Sequence, residues 1–317
     1  MNNSKLSKPC AMIPLALFCC FLWGSAFPAV KTGYRLFSIE AADSASQILF
    51  AGIRFALAGV LVIALGSILS GRLLYPKGKK EILHCLVLSV FQTVLQYTAF
   101  YIGLAHTSGV KSSVLISLNV FLSLIISSLI FKMESLTAPK IIGVLVGFAG
   151  VVIINIGAGG AAGGISLNGE GAIILSAFAY SVSSVLIKQF SKTDNPVMLS
   201  GWQFLAGGAV MAAIGAVLGG KADAQAGANP YLLLLYLAFI SAAAYTVWGL
   251  LLKHNPVSKV SVLGFMNPVF GVLLSALILG EAQEAFSVKN LISLVLVSVG
   301  IYIVNANFKK QSPKSEC

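Results

Sequence analysis

The chain has 317 residues, of which 57% are apolar and only 10% charged, whereas about a quarter of a soluble domain is charged; a water-soluble globular protein is excluded. Lysine and arginine number 21 and aspartate and glutamate 10, a net charge of +11. In a chain this oily the excess reads as membrane orientation and not as a nucleic-acid face, which would cluster its cations on one soluble surface.

Ten apolar runs of about 20 residues, the length that crosses a hydrocarbon core, follow one another along the chain. They cover 12–31, 47–70, 82–104, 111–131, 139–158, 170–188, 197–219, 231–252, 259–280 and 287–306. The expected fold class is therefore an all-α integral membrane protein with ten transmembrane helices. A basic tail ahead of the first run, with Gly24, Ser25 and Ala26 after it, has the form of a cleaved signal peptide too. Removing that run leaves nine spans and spoils the charge bias, so it is read as a span.

Placing the N-terminus in the cytoplasm puts 15 lysines and arginines inside and 5 outside (Lys31, Arg35, Lys111, Lys221 and Lys289), with Arg54 alone within a span. That three-to-one bias is the positive-inside pattern, so both termini are expected in the cytoplasm of a multi-pass cell-membrane protein. The stretch Gly157 to Gly169 lacks the Gly-Lys-Ser/Thr ending of a phosphate loop and reads as a flexible linker. The cysteines, Cys10, Cys19, Cys20, Cys85 and Cys317, are odd in number and form no Cys-x-x-Cys pair, so neither disulfides nor zinc are signalled. No cofactor is expected.

The second half repeats the first. An offset of 148 pairs Tyr97 with Tyr245, Thr98 with Thr246, Phe100 with Trp248, Leu104 with Leu252, His106 with His254, Lys111 with Lys259 and Asn119 with Asn267. Trp23 and Lys31 match Tyr180 and Lys188, Arg54-Phe55 answers Gln203-Phe204, Glu134 answers Glu281, and Gly150 and Asn155 answer Gly300 and Asn305. The organisation is a first repeat over 1–158, a Gly-rich linker over 159–169, and a second repeat with a basic tail over 170–317. Five spans per copy is odd, so the second copy enters the membrane from the opposite side, an inverted repeat of the kind that underlies alternating access.

Leu22 to Phe27 (LWGSAF), Arg54 to Gly59 (RFALAG), Gly143 to Ile154 (GVLVGFAGVVII) and Asn267 to Glu281 (NPVFGVLLSALILGE) resemble the signatures of EamA-type transporters of the drug/metabolite transporter superfamily. Their order covers nearly the whole chain as two EamA repeats. The resemblance implies an inverted five-plus-five bundle, a central cavity between the halves, an arginine at position 54 whatever the substrate, and mostly bacterial exporters of amino acids and other small metabolites. The first half departs from the pattern: Asn119-Val120-Phe121 lacks the proline of Asn267-Pro268-Val269-Phe270. A kink is thus expected in the ninth span at Pro268, and none in the fourth.

Arg54 either meets a substrate carboxylate or phosphate, or snorkels to the interface and caps backbone carbonyls. No acidic residue lies in a span to pair with it. Gln92 and Gln96, four apart, and Tyr97 with Tyr101, also four apart, make a polar-aromatic stripe on the third helix. Facing Trp23, Tyr180, Tyr245 and Trp248, that stripe either lines a cavity that stacks on a ring or serves as interhelical glue. Asn119, Asn267 and Gln203 complete the candidate substrate contacts. Glu134 and Glu281 lie at helix ends, where they fix turns or carry protons. His84, His106 and His254 read as interfacial residues, and Gly143-xxx-Gly147 as a close-packing face within the bundle or for a homodimer.

Paired buried aspartates, HExxH and a mid-membrane serine–histidine pair are all absent from the sequence, so no enzymatic reading is supported. The expectation is a secondary transporter in the lipid bilayer that exports a small molecule, an amino acid or a similar compound. An exporter of drugs or nucleotide-type metabolites, and a non-transporting flippase or assembly subunit, are the alternatives.

Overall fold

The computed structural model describes residues 6, 8–133, 135–155, 166–255, 260, 263–264 and 266–306, so Glu134, Lys259, Cys317 and most of the Gly-rich linker lie outside the described residues. Every regular element among the described residues is helical. The long helices are α1 (Pro9–Leu36), α2 (Ser44–Ser70), α3 (Lys79–His106), α4 (Gly109–Ile130), α5 (Ala138–Asn155), α6 (Leu167–Phe190), α7 (Pro196–Val217), α8 (Asn229–His254), α9 (Met266–Leu279) and α10 (Val288–Ala306). Seven of them, α1 to α4 and α6 to α8, are long and apolar enough to cross a membrane, and three shorter apolar helices accompany them.

The helix ends follow local chemistry. Asp43 caps α2 by accepting from the Ser46 N–H at 2.9 Å, Asn195 caps α7 by accepting from the Val197 N–H at 2.9 Å, and Pro9 and Pro196 occupy first-turn positions where a missing N–H costs nothing. At the other end of α2, Gly71 takes the left-handed conformation with φ 66°.

Glycines decide how the helices pair. Gly52 and Gly59 of α2 lie against Ala212 and Leu205 of α7 so closely that an added Cβ would sit 2.2 and 2.4 Å from those backbone nitrogens. Gly208 of α7 meets Ala56 in the same way at 2.3 Å, so the two helices run antiparallel with backbones in contact. The glycines recur every seven residues, Gly52, Gly59 and Gly66 on one helix and Gly201, Gly208 and Gly215 on the other. The offset that joins Arg54 to Gln203 joins each of the first three to one of the second.

Helices α5 and α10 pair likewise, with a Cβ on Gly300 falling 2.5 Å from the Gly143 carbonyl and 2.6 Å from the Gly147 nitrogen. The Gly143-xxx-Gly147 face is therefore consumed inside the bundle and is not open to a second copy.

Equivalent residues also touch each other at the centre. The Phe55 and Phe204 rings stack at 5.4 Å, and the Tyr97 and Tyr245 hydroxyls are 2.6 Å apart.

One expectation is corrected. Helix α4 does break, with a turn at residues 116–117 between α-helical stretches at Gly109–Leu115 and Leu118–Ile125. No proline is needed, because Ser113 and Ser117 donate their hydroxyls to the Val110 and Val114 carbonyls, loosening the helical ladder there. Pro268 stands in the first turn of α9, four residues after a turn at Gly264 that follows helical Leu263. The ninth span therefore breaks just ahead of the proline, whose missing N–H leaves the Gly264 carbonyl without its helical partner four residues on.

A central cavity walled by both repeats

Between the helices lies a cavity of about 810 Å³, its solvent mouth included. Its wall takes Trp23 from α1, Arg54 from α2, Gln96 and Tyr97 from α3, Asn119 from α4, Tyr180 from α6, Tyr245 and Trp248 from α8, and Asn267 from the start of α9. The breaks at residues 116–117 and Gly264 are equivalent under the offset of 148, and Ile116 and Gly264 both line the cavity. Irregular backbone at membrane depth is tolerated where it faces such a space.

The aromatic side is a continuous box. The Trp23 ring meets Trp248 at 4.9 Å, Tyr245 at 5.2 Å and Tyr180 at 6.2 Å, in edge-to-face arrangements. On the polar side Gln96 donates its amide N–H to the Tyr245 hydroxyl at 3.0 Å, which ties it to the Tyr97–Tyr245 pair. Among the described residues three wall atoms have no protein partner: Trp23 Nε1, Gln96 Oε1 and Asn267 Oδ1. A buried polar atom without a partner is costly, so these three atoms are the wall's free hydrogen-bonding positions.

Arg54 is only 1% exposed, so the snorkelling reading does not hold. Its Nε–H donates to the Leu237 carbonyl at 3.0 Å, one terminal nitrogen to the Tyr101 hydroxyl at 2.7 Å and the other to the Ser241 hydroxyl at 3.0 Å. It thus caps a backbone carbonyl, as one alternative held, but does so in the interior.

Nine of the twelve candidate residues line the cavity, and three do not. Gln203 is fully buried and accepts from the Thr93 hydroxyl. Tyr101 is fully buried beside Arg54, and its carbonyl accepts from Tyr34 at 2.7 Å. Gln92 falls within Ser89–Leu95, a π-helical stretch of α3. A wider turn there rotates residues four apart off a common face, so Gln92 and Gln96 do not share one.

Ser123 and Ser184 line the cavity and were not singled out from the sequence. Each lies four residues after a residue that was, Asn119 and Tyr180, so helical spacing carried the signal.

At one end of the bundle Glu281 accepts from the Gly109 and Val110 N–H groups at 3.2 and 3.0 Å, with Lys31 Nζ 3.6 Å away. Ser108 donates to Glu284 at 2.6 Å and Lys111 to Glu170 beside it. Glu281 therefore ties the loop after α9 to the start of α4 and the end of α1. His84 faces Asp194 at 2.6 Å and stacks on Phe190 at 3.8 Å, while His106 is exposed and its Nδ1 lies 2.9 Å from the Ile102 carbonyl. Cys19, Cys20 and Cys85 are buried free thiols.

The fold defines a multi-pass helical membrane protein with a central cavity walled by both halves of the chain. Residues 11–156 and 167–306 each match the EamA-like transporter family, and the chain belongs to that family of membrane transporters. Relatives include an inner membrane transporter, YedA, of Escherichia coli K12, 26% identical over 93% of this chain and 94% of its own length. The transporter YvbV of Bacillus subtilis is 27% identical over 94% and 92% respectively. A WAT1-related chloroplastic protein of Arabidopsis thaliana is 27% identical over 90% of this chain and 67% of its own length. A crystal structure sharing 20% identity superposes with a TM-score of 0.68 over 96% of this chain and 99% of that one, which establishes the common fold.

Proposed function

We propose that the protein exports a small metabolite, an amino acid or a similar compound, by alternating access of two inverted five-helix repeats about the central cavity. The ten spans cross the cell membrane with both termini in the cytoplasm, a placement that the lysine and arginine bias supports. The observation that carries the reading is the contact of repeat equivalents with one another: α2 against α7, α5 against α10, Phe55 against Phe204 and Tyr97 against Tyr245. A contact between equivalents maps onto itself when the two halves exchange roles, so it can persist through the transition. Contacts such as Lys31–Glu281 map onto other residues and are the ones that must exchange.

In this reading the aromatic box walls the substrate while Gln96, Asn119 and Asn267 orient it. Purified protein in liposomes, assayed by counterflow with a pooled panel of labelled amino acids, tests the proposal without assuming an ion gradient. Uptake that one unlabelled amino acid competes away supports it. Silence across the panel, with an active exporter run in parallel, refutes the amino-acid assignment. Asn267→Ala should lower uptake at unchanged expression; unaltered kinetics would remove Asn267 from the site.

A further inference from the structure

Within this transport reading, we infer that the cavity selects a molecule carrying a carboxylate, with the Arg54 charge as its counter-charge. Two cross-links occupy equivalent places in the two halves. Arg54 bonds Ser241 and the Leu237 carbonyl, tying α2 to α8. Its repeat mate Gln203 bonds Thr93, and the Gln203 carbonyl accepts from Ser89 at 3.0 Å, tying α7 to α3. The offset of 148 maps Thr93 onto Ser241 and Ser89 onto Leu237. The side-chain link of Arg54 to Ser241 thus recurs as that of Gln203 to Thr93, while at the second contact the donor is the Ser89 hydroxyl and the acceptor the Gln203 backbone carbonyl. A neutral amide suffices to join the helices at this position, so the link itself does not require a positive charge.

The centroids of the Phe55, Tyr97 and Tyr101 rings lie 4.8, 5.8 and 5.9 Å from the guanidinium carbon, and the rings offset part of the charge but carry no negative charge of their own. Among the described residues Arg54 has no ion-pair partner: the pairs present are Lys31–Glu281, His84–Asp194 and Lys111–Glu170. A buried cation without a counter-ion is unfavourable. Three of the five guanidinium N–H groups are held by protein atoms, one on each nitrogen. That leaves a spare N–H on each terminal nitrogen of a residue that lines the cavity.

An anionic group entering the cavity relieves both deficits. The unpartnered Gln96 Oε1 and Asn267 Oδ1 present acceptors for N–H groups elsewhere on the same molecule, and Trp23 Nε1 offers it a donor. A purely cationic ligand would meet Arg54 with no carboxylate on the wall to offset it.

Three probes of one shape separate the charge states: phenylacetate, phenylacetamide and phenethylammonium. Trp23 and Trp248 stand in the wall, so tryptophan fluorescence of the purified protein reports binding directly. Phenylacetate should bind at least about 30-fold tighter than phenylacetamide, with phenethylammonium weakest. Arg54→Gln should bring the first two within about threefold of each other, and Arg54→Lys, which keeps charge but not the fork, should retain most of the preference. Equal affinities in the wild type, including no saturable response to any probe, or a preference unchanged in Arg54→Gln at wild-type melting temperature, would overturn the inference. Counterflow of labelled phenylacetate separates the two claims: binding without exchange leaves the carboxylate site standing and removes the transport reading.

Discussion

The close approach of α2 and α7 makes a prediction whose sign is not obvious in advance. Replacing Gly52 with alanine in an isolated helix would stabilise it by about 1 kcal/mol, because glycine is the poorer helix former. Here the new Cβ would lie 2.2 Å from the Ala212 nitrogen and 2.6 Å from its Cα, more than an ångström inside ordinary contact. Both obstacles are backbone atoms in a 22-residue helix, so no side chain can rotate away. The two helices must separate, and overpacking of this kind costs about 1–3 kcal/mol or more.

The clash should win, lowering the melting temperature of the detergent-solubilised protein by about 3–6 °C. Gly208→Ala, at 2.3 Å from the Ala56 nitrogen, should behave alike, and the double variant should cost less than the two singles together, since one separation relieves both. Gly249→Ala is the control: its nearest neighbour is Pro196 Cβ at 3.7 Å, so only the helix-propensity gain remains. Gly52→Ala melting at or above wild type, measured beside Gly249→Ala, would show that the backbones do not approach this closely.

Other consequences follow from single hydrogen bonds. Tyr245→Phe should destabilise more than Tyr97→Phe, because the Tyr245 hydroxyl serves both Gln96 and Tyr97; a difference of about 1 kcal/mol is expected, read from thermal melts. Glu281→Ala should speed hydrogen exchange at the Gly109 and Val110 amides, which lose their acceptor, while leaving amides in α7 unchanged. Asp43→Ala removes the cap of α2 and should cost about 1 kcal/mol, with Asp43→Asn recovering most of it. The Ser46 hydroxyl and N–H hold the Asp43 carboxyl below its ordinary value of 3.8. A carboxyl lowered on folding adds stability above its unfolded pKa and loses it as pH falls through the folded value. Acid destabilisation below about pH 3.8 should therefore be weaker in Asp43→Asn than in the wild type, and an identical acid limb would refute the contribution.

Much of this architecture is legible in the sequence because membrane helices and internal repeats leave strong marks. Apolar length located the helices, and like-for-like pairs such as Tyr97 with Tyr245 exposed the repeat. The glycines spaced by seven in α2 and α7 carried equally direct information about which helices pair, since only glycine permits that approach. Their signal is hidden among the 31 glycines of the chain until the repeat offset singles them out. The break in α4 was missed because proline is the familiar breaker, whereas Ser113 and Ser117 act through hydroxyls that also occur in uninterrupted helices.

The site divides along a similar line. Aromatic and amide residues at equivalent repeat positions, such as Asn119 and Asn267, reach the cavity because helices near the repeat axis turn corresponding faces inward. Gln92 failed this rule for a local reason, the π-helical stretch that changes the angle between successive turns. Gln203 failed it for a reason that only the folded chain reveals. Its amide is bound to Thr93, as Arg54 is bound to Ser241, so position in the repeat predicts the bonds a side chain makes. It does not predict the charge that side chain carries. The copies agree where the requirement is packing, Phe55 with Phe204 and Gly52 with Gly201, and differ at 54 and 203, where one side chain is cationic and the other neutral. Packing must be matched in both halves for them to exchange roles, whereas one ligand in one cavity needs its counter-charge only once.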